Sequence, residues 1–198
     1  MHKKNPASLI LASASPRRRQ LMSEAGYEFS VVTPDIDESS FKTNDVEPVE
    51  YAKRLALAKA KSIAQEHPDS IVIGADTIVD FQGRIIGKAV DDREAEQITR
   101  ELFSAPHKVI TGVAIVRLSD GTELVRSDST TVYPREMTTG QIAEHIKGSS
   151  WQDKAGAYAI KETGDEFIEK IEGSLTNVMG LPMELLGSLL AQLNIFHK

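Results

Sequence analysis

At 198 residues, with 40% hydrophobic and 26% charged side chains, the chain has ordinary globular composition and enough length for one large domain or two small lobes around a cleft. A formal net charge of −6 argues against the broad basic surface that sequence-independent nucleic-acid binding needs, so basic groups that hold an anion must be gathered locally. Cysteine is absent, which excludes disulfides and thiolate metal sites, and no stretch approaches the ~20 apolar residues of a membrane span. Leu9-Ile10-Leu11 is too short for a signal core, so no membrane attachment and a cytoplasmic location are expected.

In chain order, Ser8 to Ser13 reads as a strand, and Pro16 to about Ala25 as a helix with Leu21, Met22 and Ala25 on one face. Tyr27 to Val32 reads as a second strand, followed by a polar, acidic loop from Pro34 to Asn44. Pro48 opens a long helix to about Glu66 with an apolar stripe of Val49, Ala52, Leu55, Ala56 and Ile63. Ser70 to Val79 is a nearly continuous apolar strand, and Gln82-Gly83 turns into a short strand from Arg84 to Ile86. Asp91 or Asp92 caps a helix carrying Ala95, Ile98 and Leu102 inward. Val109 to Leu118 and Glu123 to Val132 form a hairpin about Ser119-Asp120-Gly121. Thr138 or Thr139 caps a helix to about Lys147, a Gly-containing segment spans Asp153 to Ile160, Phe167 to Ile171 is a late strand, and Pro182 to about Leu193 a closing helix. Strands alternate with helices but hairpins interrupt them. The pattern predicts an α/β fold with a twisted, mixed sheet flanked by helices.

Several residues carry chemistry. Ser15 suits an N-cap and Pro16 the first helical position, so the turn that follows points backbone N–H groups outward at the positive end of the helix dipole. Arg17, Arg18 and Arg19 crowd that turn, where the dipole favours acids, and their forked donors suit phosphate oxygens. The plain alternative is a surface helix with solvated arginines. Asp76 interrupts the apolar strand Ile71–Val79, and a carboxylate there must be paired, metal-bound or facing a cleft. Gly74 and Ala75 before it are read as leaving room for a ligand. Asp35, Asp37 and Glu38 cluster in the polar loop, offering the oxygen ligands a hard cation requires; solvated loop acids are the alternative. Lys59 sits among Ala and Leu on the long helix, and Lys88 follows Gly87 at the end of a short strand.

The run Ser13-Ala14-Ser15-Pro16-Arg17-Arg18 after an apolar strand resembles the opening motif of the Maf family of nucleotide pyrophosphatases. Gly74-Ala75-Asp76-Thr77, Glu38, Lys59, Lys88, Asp153-Lys154-Ala155-Gly156-Ala157-Tyr158 and Asn177-Val178-Met179-Gly180-Leu181-Pro182 extend the resemblance from Leu9 to about Leu193. It implies one Maf-like domain over residues 1–198, an elongated sheet with two lobes around a central cleft, similar to inosine triphosphatases. It implies Asp76 as the catalytic carboxylate, and Glu38 with Asp76 as ligands of a divalent cation, Mg²⁺ or Mn²⁺. It also implies Ser13, Ser15, Arg17, Arg18, Lys59 and Lys88 as substrate-binding residues, and Arg17, Thr77 and Lys161 as the residues that select the base. Family members often pair, so a homodimer is compatible with the resemblance.

Two departures stand out. Ala89 replaces the proline usual after the second lysine, which affects loop stiffness. Lys161 stands where the pyrimidine-selective branch carries glutamine; a lysine donates to a base carbonyl but cannot accept from N3–H. The implied reaction is hydrolysis of a nucleoside triphosphate, dTTP, UTP or a modified pyrimidine nucleotide, between its α and β phosphates. There is no G-x-x-x-x-G-K-[ST] loop, which argues against a P-loop enzyme. The rivals are a phosphatase with an aspartyl nucleophile at Asp76 and, in a different class, a non-enzymatic nucleotide-binding regulator of septum formation.

Overall fold

The computed structural model describes residues 8–41, 43, 46–148, 151–152, 156 and 167–196. The elements follow as β1 (Leu9–Ala12), α1 (Pro16–Glu24), β2 (Ser30–Val32), α2 (Pro48–Glu66), β3 (Ile71–Phe81), β4 (Arg84–Ile86), α3 (Asp92–Leu102), β5 (His107–Arg117), β6 (Thr122–Pro134), α4 (Thr139–Lys147), β7 (Ile168–Glu172), α5 (Leu175–Val178) and α6 (Met183–Ala191). One seven-stranded sheet runs β2-β1-β3-β5-β6-β7, with β4 added to β3. The pairs β1–β2 and β1–β3 are parallel and the others antiparallel, so the sheet is mixed, as the interrupted alternation predicted.

Local signals explain the helix boundaries. Pro48 stands at the first turn of α2, Asp91 caps α3, and Thr138 forms a capping box with Gln141 at α4. The second strand is shorter than predicted, because only Ser30 to Val32 reach β1. The four-residue α5 was not predicted; Ser174 caps it inside a stretch that reads as turn punctuation.

The sheet alternates its side chains between two layers. Leu11, Ile73, Val113 and Ile115 pack with Leu21 and Met22 of α1 and Leu186 and Leu189 of α6. Ile10, Val72, Ala114 and Val116 pack instead on Ala56, Ala60 and Ile63 of α2. Farther along β3 and β5, Val79, Val109 and Val132 meet Ile98 and Leu102 of α3 and Ile142 of α4.

Gly74 and Gly112 set how closely α2 lies on the sheet. A Cβ on Gly74 would stand 2.2 Å from the Ala56 carbonyl oxygen, and one on Gly112 would stand 2.3 Å from that of Ala52. The space beside Gly74 therefore belongs to the backbone of α2 and not to a ligand, which corrects the sequence reading. Gly112 is the register partner of Asp76, so the same close approach lowers α2 onto the strand pair beside that carboxylate. Among the described residues, no helix is long and apolar enough to cross a membrane.

Candidate active site

Asp76 is 7% exposed and Lys59 8%. The Lys59 ammonium lies 2.6 Å from Asp76 Oδ1 and 2.7 Å from Glu38 Oε1, so one buried cation bridges two carboxylates. An ion at such a depth persists only when it is paired, and Lys59 is paired twice. Asp37, of the predicted loop cluster Asp35, Asp37 and Glu38, has a different job from Glu38. Its Oδ1 accepts from Ser39 N–H (3.0 Å) and Ser39 Oγ (2.6 Å), which builds the 3-10 turn Glu38–Ser40 and turns Glu38 inward. Those bonds to Ser39 pull the Asp37 carboxyl below its ordinary value.

Desolvation pushes the Glu38 carboxyl up, but the hydrogen bond from Lys59 and the charges of Lys59, Lys88 and Arg18 outweigh it and hold the group below its ordinary value. Lys88, itself exposed, therefore stands close enough to act on Glu38. The loop carrying Lys88 is tied down by the Gly156 N–H, which donates to the Gly87 carbonyl at 3.0 Å. Gly156 has φ +74°, a conformation that favours glycine.

The start of α1 behaves differently for each residue. Ser15 Oγ caps the helix by accepting from the Arg18 N–H at 3.4 Å, and the Arg19 N–H goes to the Ser15 carbonyl. Arg18 then spends its guanidinium on the protein. Its Nε donates to the Gly180 carbonyl (2.7 Å), one terminal nitrogen to the Ala75 carbonyl (2.8 Å) and Ser13 Oγ (3.2 Å), and the other to Thr77 Oγ1 (3.0 Å). Burial draws the Arg18 guanidinium below its ordinary value, while the charges of Asp76 and Glu38 push it back up. The Ser13 hydroxyl also accepts from the Ser15 N–H (3.2 Å). Arg17 is half-buried and its side chain has no hydrogen bond or ion pair among the described residues, in contrast to Arg18.

Asp76, Glu38, Lys59, Lys88, Arg18 and Thr77 are thus linked by bonds or by charge, and Ser13 and Ser15 brace the same corner. Lys161, with Asp153, Lys154 and Tyr158, lies outside the described residues. Sequence reasoning missed Tyr51, whose phenol is raised by burial and by the charges of Asp76 and Glu38. It also missed Thr111, whose hydroxyl lies 2.9 Å from that of Thr77. Neither has a sequence signal of its own: Tyr51 matters because α2 sits so low, and Thr111 because β5 is in register with β3.

The donor set suits a hard cation. Asp76 and Glu38 each give one oxygen to Lys59, and the second oxygen of each has no hydrogen-bond partner among the described residues. No group of three His, Cys, Asp or Glu gathers among those residues. A cavity of about 580 Å³ lies elsewhere, lined by Phe103, Tyr133, Pro134, Met137 and Ile142, and none of the candidate residues lines it.

The family model described as Maf-like protein matches residues 8–193. A protein of Citrifermentans bemidjiense named dTTP/UTP pyrophosphatase is 41% identical over 177 residues, covering 89% of this chain and 91% of its own. A Geotalea uraniireducens protein of the same name is 43% identical over 180 residues, covering 89% and 90%. The solved structure of the Staphylococcus aureus Ham1 protein matches with a TM-score of 0.52 at 14% identity, covering 93% of this chain and 98% of that one, which is a likeness of fold.

Proposed function

The chain belongs to the Maf family, and from that premise we propose that it hydrolyses nucleoside triphosphates between the α and β phosphates, releasing a nucleoside monophosphate and pyrophosphate. The observation that carries this reading is the Lys59 ammonium bonded to both Asp76 and Glu38, which sets two carboxylates side by side, each with one oxygen that has no hydrogen-bond partner among the described residues. The relatives' names support dTTP and UTP as substrates. They do not favour the regulator reading. One continuous sheet supports a single Maf-like domain over residues 1–198.

In this reading the free oxygen of Asp76 takes a proton from the attacking water. A bond forms between that water oxygen and the α phosphorus, the bridge to the β phosphate breaks, and pyrophosphate leaves. Lys59 fixes Asp76 in place for this step through its 2.6 Å bond, and its burial keeps the pairing from being screened by solvent. Arg17 and Lys88 meet the phosphates, the first through a forked donor and the second as a mobile point charge. In this reading Arg18 keeps its protein acceptors, fixes the start of α1 and adds a positive charge beside the carboxylates. Glu38 and Asp76 would hold a divalent cation, which supplies neutralisation of charge on the phosphates. Thr77, Arg17 and Lys161 are the residues we assign to base selection.

The test is a product assay with Mg²⁺ and a panel of canonical and modified triphosphates, scoring pyrophosphate and orthophosphate separately. Pyrophosphate from dTTP or UTP is expected. Orthophosphate alone would turn the reading to a phosphatase, and pyrophosphate only from purine triphosphates would overturn the base preference.

A further inference from the structure

A chain of buried polar groups crosses the sheet between two hydrophobic clusters. Asn177 is fully buried, and its amide nitrogen donates to the Val109 carbonyl and to Thr130 Oγ1, each at 2.9 Å. Its backbone carbonyl accepts from Thr111 Oγ1 (3.2 Å) and from the Gly180 N–H (2.9 Å). Thr111, also fully buried, lies 2.9 Å from the Thr77 hydroxyl, and that hydroxyl accepts from Arg18. The Gly180 carbonyl accepts from Arg18 Nε. Asn177 therefore reaches the guanidinium by two routes: through the hydroxyls of Thr111 and Thr77, and through the peptide of Gly180. Gly180 holds φ +111°, which an L side chain rarely adopts.

Packing alone does not account for these groups. Apolar residues would fill a seam between Val113 and Val109 without desolvating hydroxyls and an amide. Asn177 Oδ1 is even buried without a hydrogen-bond partner among the described residues, so the side chain is kept for its two donors. The donors seat α5 on β5 and β6, and seating α5 aims the Gly180 carbonyl at Arg18.

We infer that Thr111 and Asn177 are positioning residues, which hold the segment Ser174–Pro182 on the sheet so that Arg18 is locked beside Asp76. Neither is a catalytic residue, since each acts through Arg18. The consequence for turnover rests on the pyrophosphatase reading; the lock on Arg18 does not.

The experiment follows the Arg18 Nε–H by NMR and the kinetics of pyrophosphate release in the same proteins. In the native chain the Nε–H should be slow to exchange with solvent. Thr111→Val keeps the side-chain shape and removes the hydroxyl; it should speed that exchange at least tenfold and lower kcat about five- to tenfold, the effect of roughly one hydrogen bond. Thr111→Ser should restore both. In an Arg18→Lys background, Thr111→Val should change kcat/KM by less than twofold, because the group through which it acts is gone. Should Thr111→Val misfold, Thr111→Ala, which also removes the hydroxyl and needs less room, takes its place. Unchanged exchange in folded Thr111→Val would overturn the lock. Full multiplicative effects in the Arg18→Lys background would overturn action through Arg18. If the native chain released no pyrophosphate, the functional reading would fail while the exchange data still decided the lock.

Discussion

Asp76 and Thr77 are neighbours in the chain and face opposite sides of β3, and the two sides treat charge in opposite ways. On the α2 side, one ammonium serves two carboxylates, and among the described residues each carboxylate keeps an oxygen free. On the α1 side, one guanidinium is divided among two carbonyls and two hydroxyls, and little of it remains to meet a ligand. The first arrangement leaves unsatisfied capacity where a reaction needs it. The second uses up capacity to make a rigid support. A site of this kind needs both, because a carboxylate left half-bonded is useful only if its surroundings cannot relax around it.

The largest effect should come from the α2 side. Asp76→Asn keeps shape and hydrogen bonding capacity but removes the base, so pyrophosphate release should fall about 10³-fold, the middle of the range for a positioned proton acceptor. Lys59 retains Glu38 as a partner, so the variant should stay folded. Turnover near the native rate in that variant would erase the functional distinction between the two sides.

Next comes the contrast between Arg17 and Arg18. Arg18→Ala removes the side-chain donor to the Ala75 carbonyl and the nearer of two side-chain donors to the Gly180 carbonyl in a buried place, and should cost about 3–5 kcal/mol, lowering Tm by about 10 °C. Arg17→Ala removes no hydrogen bond or ion pair made by its side chain among the described residues; it should leave Tm within about 2 °C and raise KM for the nucleotide about tenfold. Calorimetric melting and steady-state kinetics on both variants decide it. An equal loss of Tm in the two would mean that the arginines share the structural work.

This pair also marks how far the sequence could be read. Both arginines carry the same charge at the same helix start, and only the 100° between consecutive helical positions sends Arg18 across to Gly180, 162 residues away. Local signals were legible: the Pro48 start of α2, the Asp91 and Thr138 caps, and the Asp120-Gly121 turn stand where the residues put them. Asp76 was conspicuous because a carboxylate in an apolar strand demands a partner, yet Lys59 as that partner depends on how low α2 lies. Gly74 was misread for the same reason, since a missing side chain signals close approach without naming what approaches. The acidic cluster reduced to Glu38 once Asp37 proved to be a turn cap. Asn177 and Gly180 read as punctuation because their partners, Val109, Thr130 and Arg18, are all remote in sequence.

The smallest expected effect asks how much of the α2-side pairing belongs to folding rather than to chemistry. Glu38 is half-exposed, so its bond to Lys59 should contribute less than about 1 kcal/mol after solvent screening. Its folded-state value lies below the ordinary 4.5 because the Lys59 bond and the Lys59, Lys88 and Arg18 charges outweigh desolvation. A carboxyl depressed on folding stabilises the native state fully at pH above its unfolded value, and that contribution is lost as pH falls through the folded one. Glu38→Gln cannot titrate. The difference in urea midpoint between the native chain and this variant should therefore be constant from pH 7 to about pH 5.5 and shrink progressively below 4.5. A difference that grew on acidification would mean that Glu38 is strained by its burial, and that the α2 side, like the α1 side, is held together by bonds to backbone and hydroxyls rather than by the shared ammonium.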